Sequence, residues 1–206
     1  MAGKKGSLQA DFLGAGADMP YPPELSVLRN EVLTCTRCPL HCSRIQAVFG
    51  EGRPDAKLMF IGEAPGAQED ESGRPFIGRS GQFLTRAMEA HGLERSQVFI
   101  SNVVKCRPPE NRDPLPEEIR ACNSYLMRQI DLIKPKLLCA LGRYAASVLL
   151  DRDIKITKDH GHWFEYHGTP LMIAMHPSAA MRSVMFRQQF DADLEELSAR
   201  FRALPG

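Results

Sequence analysis

Two groups of side chains in this sequence are spaced for chemistry. Cys35 and Cys38 make a CxxC pair in TCTRCPLHC, and Cys106 in VVKCRPP with Cys122 in IRACNS completes a set of four thiols. No second CxxC is present to form the usual zinc ribbon, so zinc stands as one occupant against an iron-sulfur cubane. A cubane sets its four cysteine-held irons at separate vertices, which suits ligands drawn from a helix end, a loop and a second helix. Plain burial without metal is the third alternative. Of the six cysteines, Cys139 lies inside an apolar run and reads as a small core residue, while Cys42 fits either role.

The second group belongs to Phe60–Leu84, FIGEAPGAQEDESGRPFIGRSGQFL, where a short apolar run breaks into a glycine-rich loop bearing carboxylates and one phenylalanine. Gly62, Pro65 and Gly66 force a tight turn whose backbone can closely approach a ligand. Neither GxGxxG nor GxxxxGK[ST] is present, and Glu69, Asp70 and Glu71 after the turn would repel a phosphate, so a nucleotide cradle is not supported. Asn102 is placed at the C-terminal end of a strand, the edge that faces the ligand crevice in an open α/β sheet; the alternative is an ordinary turn asparagine.

The elements that must position these residues alternate. Lys57–Ile61, Val98–Asn102 and Lys136–Leu141 read as buried strands, and Trp163–His167 with Leu171–Met175 as two more around Gly168-Thr169, the last running into His176-Pro177-Ser178. Helical spacing covers Glu24–Leu33, Gly78–His91, Gly142–Leu150 and Phe186–Phe201. Pro116, Glu117 and Glu118 open a further helix that Lys134-Pro135 stops near Ile133. Ser43–Ala56 and the proline-rich Arg107–Pro116 read as loops. The alternation predicts an α/β sandwich with a mainly parallel central sheet. Residues 1–23 are expected to be a flexible tail, and 24–206 one domain.

With 206 residues, 43% of them apolar and 25% charged, the chain suits one soluble globular domain. The net charge of +1 excludes a generally basic surface, so contact with nucleic acid must come from local groups. No run approaches the roughly 20 apolar residues of a membrane span. No membrane partner and a cytoplasmic location are therefore expected, and six cysteines in such a setting argue for metal binding or burial over disulfides.

Three motifs, GEAPGAQEDESGRPFIGRSGQFL, SNVVKCRPPENRDPLPEE and MHPSAAMR, follow the CxxC pair in that order and resemble the family-4, iron-sulfur uracil-DNA glycosylases. The resemblance spans roughly residues 33–200. It implies a three-layer αβα fold, a 4Fe-4S cluster on Cys35, Cys38, Cys106 and Cys122, and excision of uracil from single- or double-stranded DNA by a monomer. It also implies that Phe76 stacks on a uracil rotated out of the DNA, that Asn102 reads its Watson-Crick edge, and that a neutral His176 reaches its O2 oxygen. Glu63 is expected on the sugar side, positioning water or balancing the cation, with Glu69 as its alternative.

Gly62, Ala64 and Glu69 complete the expected base pocket. More distant relatives carry an aspartate where this chain has Ala64 and a tyrosine where it has Gly66, so a shared aspartate mechanism is not implied, and Glu69 is expected to supply the wall against thymine's methyl. Ser178, with a hydroxyl and free N–H groups at a helix start, and Arg182 are expected on DNA phosphates or in the minor groove. Lys105, Arg107 and Arg112 are expected to make their loop basic. That loop reads ENRDP without the histidine of covalently trapping relatives, so turnover without a stable protein–DNA bond is expected, as is the absence of a lyase step. The rival readings are a non-catalytic cluster protein that binds DNA or senses redox state, and an enzyme of the same fold favouring another deaminated base such as hypoxanthine.

Overall fold

The computed structural model describes residues 21–205, and residues 1–20 of the tail expected over 1–23 lie outside them. Its centre is a six-stranded sheet in the order β1-β3-β2-β4-β6-β5, built from β1 (Glu51–Gly52), β2 (Leu58–Gly62), β3 (Phe99–Asn102), β4 (Leu137–Leu141), β5 (Trp163–Tyr166) and β6 (Thr169–Ala174). The four central strands pair in parallel, and β1 and β5 pair antiparallel at the edges. All residues of β2, β3 and β4 are buried, as strands covered on both faces must be.

The helices are α1 (Pro23–Leu33), α2 (Ala67–Ser72), α3 (Arg79–Ala90), α4 (Pro116–Ile133), α5 (Arg143–Leu150), α6 (Ile156–Asp159), α7 (Pro177–Ala180) and α8 (Val184–Arg202). Two apolar clusters cover the two faces of the sheet. One joins Leu25, Leu28 and Val32 of α1 to Leu126 and Ile130 of α4 and to Ala145 and Leu149 of α5. The other joins Leu84 and Met88 of α3 to Phe190, Leu194 and Leu197 of α8. The result is three layers, helix on sheet on helix, as expected.

Two elements depart from the sequence reading. Ser43–Ala56 is not wholly loop, because Glu51 and Gly52 pair with Ile100 and Phe99 as an edge strand. The acid-rich stretch after the Gly66 turn is helical rather than loop: Asp70 accepts from the backbone N–H of Ile45 at 3.0 Å, and Glu69 bonds back to Gly66 N at 3.1 Å. Tyr21, assigned to the tail, packs its ring 5.9 Å from that of Phe49.

Parallel register places the ends of four strands together. Gly62 pairs with Asn102 and Leu141 with Ala174, so Glu63, Asn102, Gly142 and His176 all emerge at one edge. Chain direction across the sheet reverses beside β2, which lies between β3 and β4. Such a switch point opens a crevice at the carboxyl ends of the strands.

Candidate active site

A cleft of about 480 Å³ fills that crevice, and Glu63, Ala64, Glu69, Phe76, Asn102, His176, Ser178 and Arg182 all line it. Gly62 lies beneath its floor. A Cβ on Gly62 would stand 2.4 Å from Asn102 Oδ1 and 2.5 Å from Phe76 Cζ. Only a residue without a side chain lets the amide and the ring meet above it.

Phe76 is held from several sides. Its backbone adopts φ +50°, an unfavourable conformation for a bulky residue. Arg95 donates to Pro75 O at 2.6 Å and to Phe76 O at 3.2 Å. The same guanidinium faces Glu51 at 3.7 Å, and Glu51 also takes a bidentate pair from Arg74 at 2.6 and 2.8 Å. Gly81 of α3 completes the seat, since a Cβ there would lie 1.9 Å from the Phe76 carbonyl. The ring is buried at 7% exposure, with its centroid 6.2 Å from that of His176.

Asn102 is 1% exposed, yet its Oδ1 has no hydrogen-bond partner among the described residues. Buried acceptors are nearly always paired, and an unpaired one costs about 1–3 kcal/mol. At His176, Nδ1 accepts from the Ser178 backbone N–H at 3.2 Å and lies 2.7 Å from Ser178 Oγ. A nitrogen that accepts carries no proton, so the ring N–H is on Nε2. Burial, helped by Arg182, draws the imidazole down to about 4 and keeps it neutral at ordinary pH.

Glu63 is partly buried, and its carboxyl is pushed up to about 7 by burial first and then by Asp113, against the opposing effect of Arg143. Asp113 reaches the cleft on the proline-rich loop and accepts a hydrogen bond from the Tyr144 hydroxyl. Among the lining residues that the sequence reading passed over are Gly142, Arg143 and Tyr144. They follow β4 directly, and the strand-end rule applied to Asn102 would have found them. Gly142 has φ +88°, and a Cβ there would lie 2.9 Å from His176 Cβ.

Four expectations need correction. Both Glu69 oxygens are engaged, one by Gly66 N at 3.1 Å and the other by Ile77 N at 2.9 Å and Gly78 N at 2.7 Å, so this carboxylate braces the Phe76 loop and is not free to activate water. The Ser178 N–H is capped by His176 and is not open to a phosphate. Lys105 is 1% exposed and adds nothing to the surface. Arg112 is neutralised by a bidentate pair with Glu118 at 2.6 and 2.9 Å. Of the expected basic loop only Arg107 is neither buried nor paired with a carboxylate among the described residues, and its Nε donates to Asn111 Oδ1 at 2.8 Å.

The four cysteines share a second, small pocket, of about 10 Å³, with Arg37, Arg44, Lys105 and Tyr125. Cys35 and Cys38 follow the end of α1, Cys106 follows β3, and Cys122 lies in the second turn of α4. N–H groups point at the sulfurs: Arg44 Nη1 to Cys106 at 3.0 Å, Lys105 N to Cys122 at 3.3 Å and Arg37 N to Cys35 at 3.5 Å. Burial pushes the Cys122 thiol up to about 11 and the Cys106 thiol upward, opposed by Lys105 and Arg44 respectively. Among the described residues no three His, Cys, Asp or Glu side chains converge on a single ion, so the thiols ring the pocket instead. Cys42 is exposed and Cys139 is buried within the sheet.

Comparison with known proteins gives a consistent assignment. A family model described as the uracil DNA glycosylase superfamily matches residues 49–198. A type-4 uracil-DNA glycosylase of Sulfurisphaera tokodaii is 43% identical over 182 residues, 84% of this chain and 83% of its own length. Its namesake in Thermotoga maritima is 44% identical over 161 residues, 77% of this chain and 84% of its own length. A type-5 uracil-DNA glycosylase of Pyrobaculum aerophilum is more distant, at 30% identity over 72% of this chain and 80% of its own length. Among the described residues no helix is long and apolar enough to cross a membrane.

Proposed function

The chain belongs to the uracil DNA glycosylase superfamily and excises uracil from DNA in base-excision repair, and from that premise we propose how its own residues do so. The observation that carries the proposal is the unpaired, buried Oδ1 of Asn102 between Phe76 and His176. A uracil rotated out of the DNA brings an N3–H to that oxygen and an O4 to the amide N–H groups. Cytosine presents an acceptor at N3 and a donor at N4, leaves the same amide mismatched, and is rejected. Stacking on Phe76 contributes roughly 1–3 kcal/mol toward the cost of unstacking the base. Glu69, at the cleft wall beside Gly66, is the side chain we set against thymine's methyl.

In the reaction the C1′–N1 bond breaks and its electron pair stays on uracil, whose charge spreads to O2 and O4. His176 Nε2–H donates to O2 as that charge grows, and needs no second proton to do so. The sugar becomes oxocarbenium-like, and the Glu63 carboxylate faces it. Water adds to C1′ and gives its proton to Glu63, leaving an abasic site with the strand intact. Among the described residues no lysine lines the cleft, and the reaction proposed has no lyase step. Arg182 and Arg143 at the cleft wall are the groups proposed for the DNA backbone.

Cys35, Cys38, Cys106 and Cys122 are proposed as ligands of a 4Fe-4S cluster. Four free thiols around one pocket, met by N–H donors and flanked by Arg44 and Lys105, suit an anionic thiolate-bound group. When bound, the cluster supplies a cross-link between α1, the proline-rich loop and α4. We further propose that residues 24–206 act as one monomeric domain in the cytoplasm on single- or double-stranded DNA.

The test is release of free base from oligonucleotides, single- and double-stranded, that carry one uracil, thymine or hypoxanthine. Uracil-selective release is expected. Asn102→Ala and His176→Ala should each lower release far more than DNA binding; equal losses in both would mean that these residues only support the fold.

A further inference from the structure

Lys105 lies between the cleft and the thiol pocket, and its side chain and backbone N–H are engaged on the two sides. Its side chain, 1% exposed, donates to Ser101 Oγ at 2.6 Å, to Asn102 O at 2.7 Å and to Gln129 Oε1 at 2.5 Å. An ammonium group has three donors, and here each meets an acceptor on a different residue. Its backbone N–H donates to Cys122 Sγ at 3.3 Å. Gln129 stands on α4, the helix that carries Cys122, and is itself fixed by donating to Phe49 O at 2.7 Å.

The segment leading to Lys105 is bonded to the cleft as tightly. Val103 N donates to Gly62 O at 2.9 Å and Val104 N to Glu63 O at 3.0 Å. A buried ammonium is tolerated only with its full set of acceptors, so its position is set sharply by them, and theirs by it. One of the three is the carbonyl of Asn102, whose side-chain oxygen is the unpaired acceptor in the cleft. A shift of α4 at Cys122 therefore moves Gln129 and Lys105, and with them the backbone that aims the Asn102 amide.

We propose that Lys105 is a positioning residue for base reading, tying Asn102 to the cysteine pocket so that the state of the pocket is felt in the cleft. The inference rests on the reading of Asn102 as the group that pairs with uracil. It gives the metal site a bearing on recognition that a distant cross-link would not have.

The variants that test it are Lys105→Met and Gln129→Leu, which leave all four cysteines in place. Iron content, visible absorbance and melting temperature report the pocket and the fold, while inhibition by free uracil and affinity for an abasic-site duplex report the cleft. The expected result is iron and duplex affinity near wild type, with free uracil bound roughly tenfold more weakly and uracil-over-thymine selectivity reduced, from loss of a charge-assisted hydrogen bond to the Asn102 backbone. An iron-loaded variant that binds free uracil as wild type does overturns the proposal. Should Lys105→Met fail to fold, Gln129→Leu and chelator-treated wild type decide the matter: iron-free protein that stays folded should also lose free-uracil affinity, and unchanged affinity overturns the coupling. A cluster-loaded wild type that neither releases uracil nor is bound by it would instead overturn the underlying reading of Asn102.

Discussion

The pH dependence of excision should be governed by Glu63 and not by His176. Glu63 titrates at about 7 and His176 at about 4, and the proposed mechanism needs the first ionised and the second neutral. Going down in pH, the carboxylate is lost well before the imidazole is charged. For a pKa of about 7, roughly nine-tenths of Glu63 is ionised at pH 8 and one-tenth at pH 6, so single-turnover uracil release should fall about tenfold between them and tenfold again by pH 5. The charges facing Glu63 are Asp113 on the proline-rich loop and Arg143 on α5. Asp113→Asn removes a negative neighbour and should move the acid limb to lower pH, whereas Arg143→Gln should move it up. Glu63→Gln should slow release by about 10²–10⁴-fold and flatten the profile above pH 5. The assay is rapid-quench release from a uracil oligonucleotide across pH 4–9 at saturating enzyme. A wild-type rate that stays level from pH 8 to 5 and falls only near 4 would refute the role given to Glu63, because the limb would then belong to His176.

Other residues make separate predictions. Gly62→Ala forces a methyl into the contact between Asn102 Oδ1 and Phe76 Cζ, 2.4 and 2.5 Å away; overpacking of this kind costs about 1–3 kcal/mol, and calorimetry should show a lower melting temperature together with near-complete loss of uracil release. Arg95→Met removes the donors to Pro75 O and Phe76 O and leaves Glu51 with Arg74 alone, so the φ +50° backbone of Phe76 should relax and KM should rise roughly tenfold, with a smaller change in kcat. Gly142→Ala places a Cβ 2.9 Å from His176 Cβ in a left-handed backbone conformation; kcat should fall while free-uracil binding is less affected. Glu69→Ala leaves three backbone N–H groups without their acceptor, one of them buried and two partly buried, and its melting temperature should drop even if some activity survives.

Apolar runs with clear limits were readable as strands: Lys57–Ile61 is found as Leu58–Gly62, and Lys136–Leu141 as Leu137–Leu141. Because parallel strands deliver their carboxyl ends to one edge, a correct strand list already placed Asn102 and His176 together. Edge strand β1 and helix α2 were not readable, for one reason. Two residues of strand and six of helix are too short for periodicity to emerge, and each is set by partners far along the chain, Glu51 opposite Ile100 and Asp70 under Ile45.

Charged and polar side chains misled for the same reason on a smaller scale. A lysine beside a cysteine reads as surface charge, yet Lys105 finds Gln129 and is drawn into the interior. Arg112 reads as part of a basic loop, yet Glu118 folds back to take it, with Leu115 N on the same carboxylate at 2.8 Å. Glu69 reads as a spare acid, yet its two oxygens accept from the N–H groups of Gly66, Ile77 and Gly78 and hold the Phe76 loop. Sequence patterns record what a side chain offers, whereas its use is decided by which opposite partner the fold brings within about 3 Å. Asn102 stands at the C-terminal end of β3, where its strand position predicts it, and its Oδ1 differs from these side chains in having no such partner among the described residues.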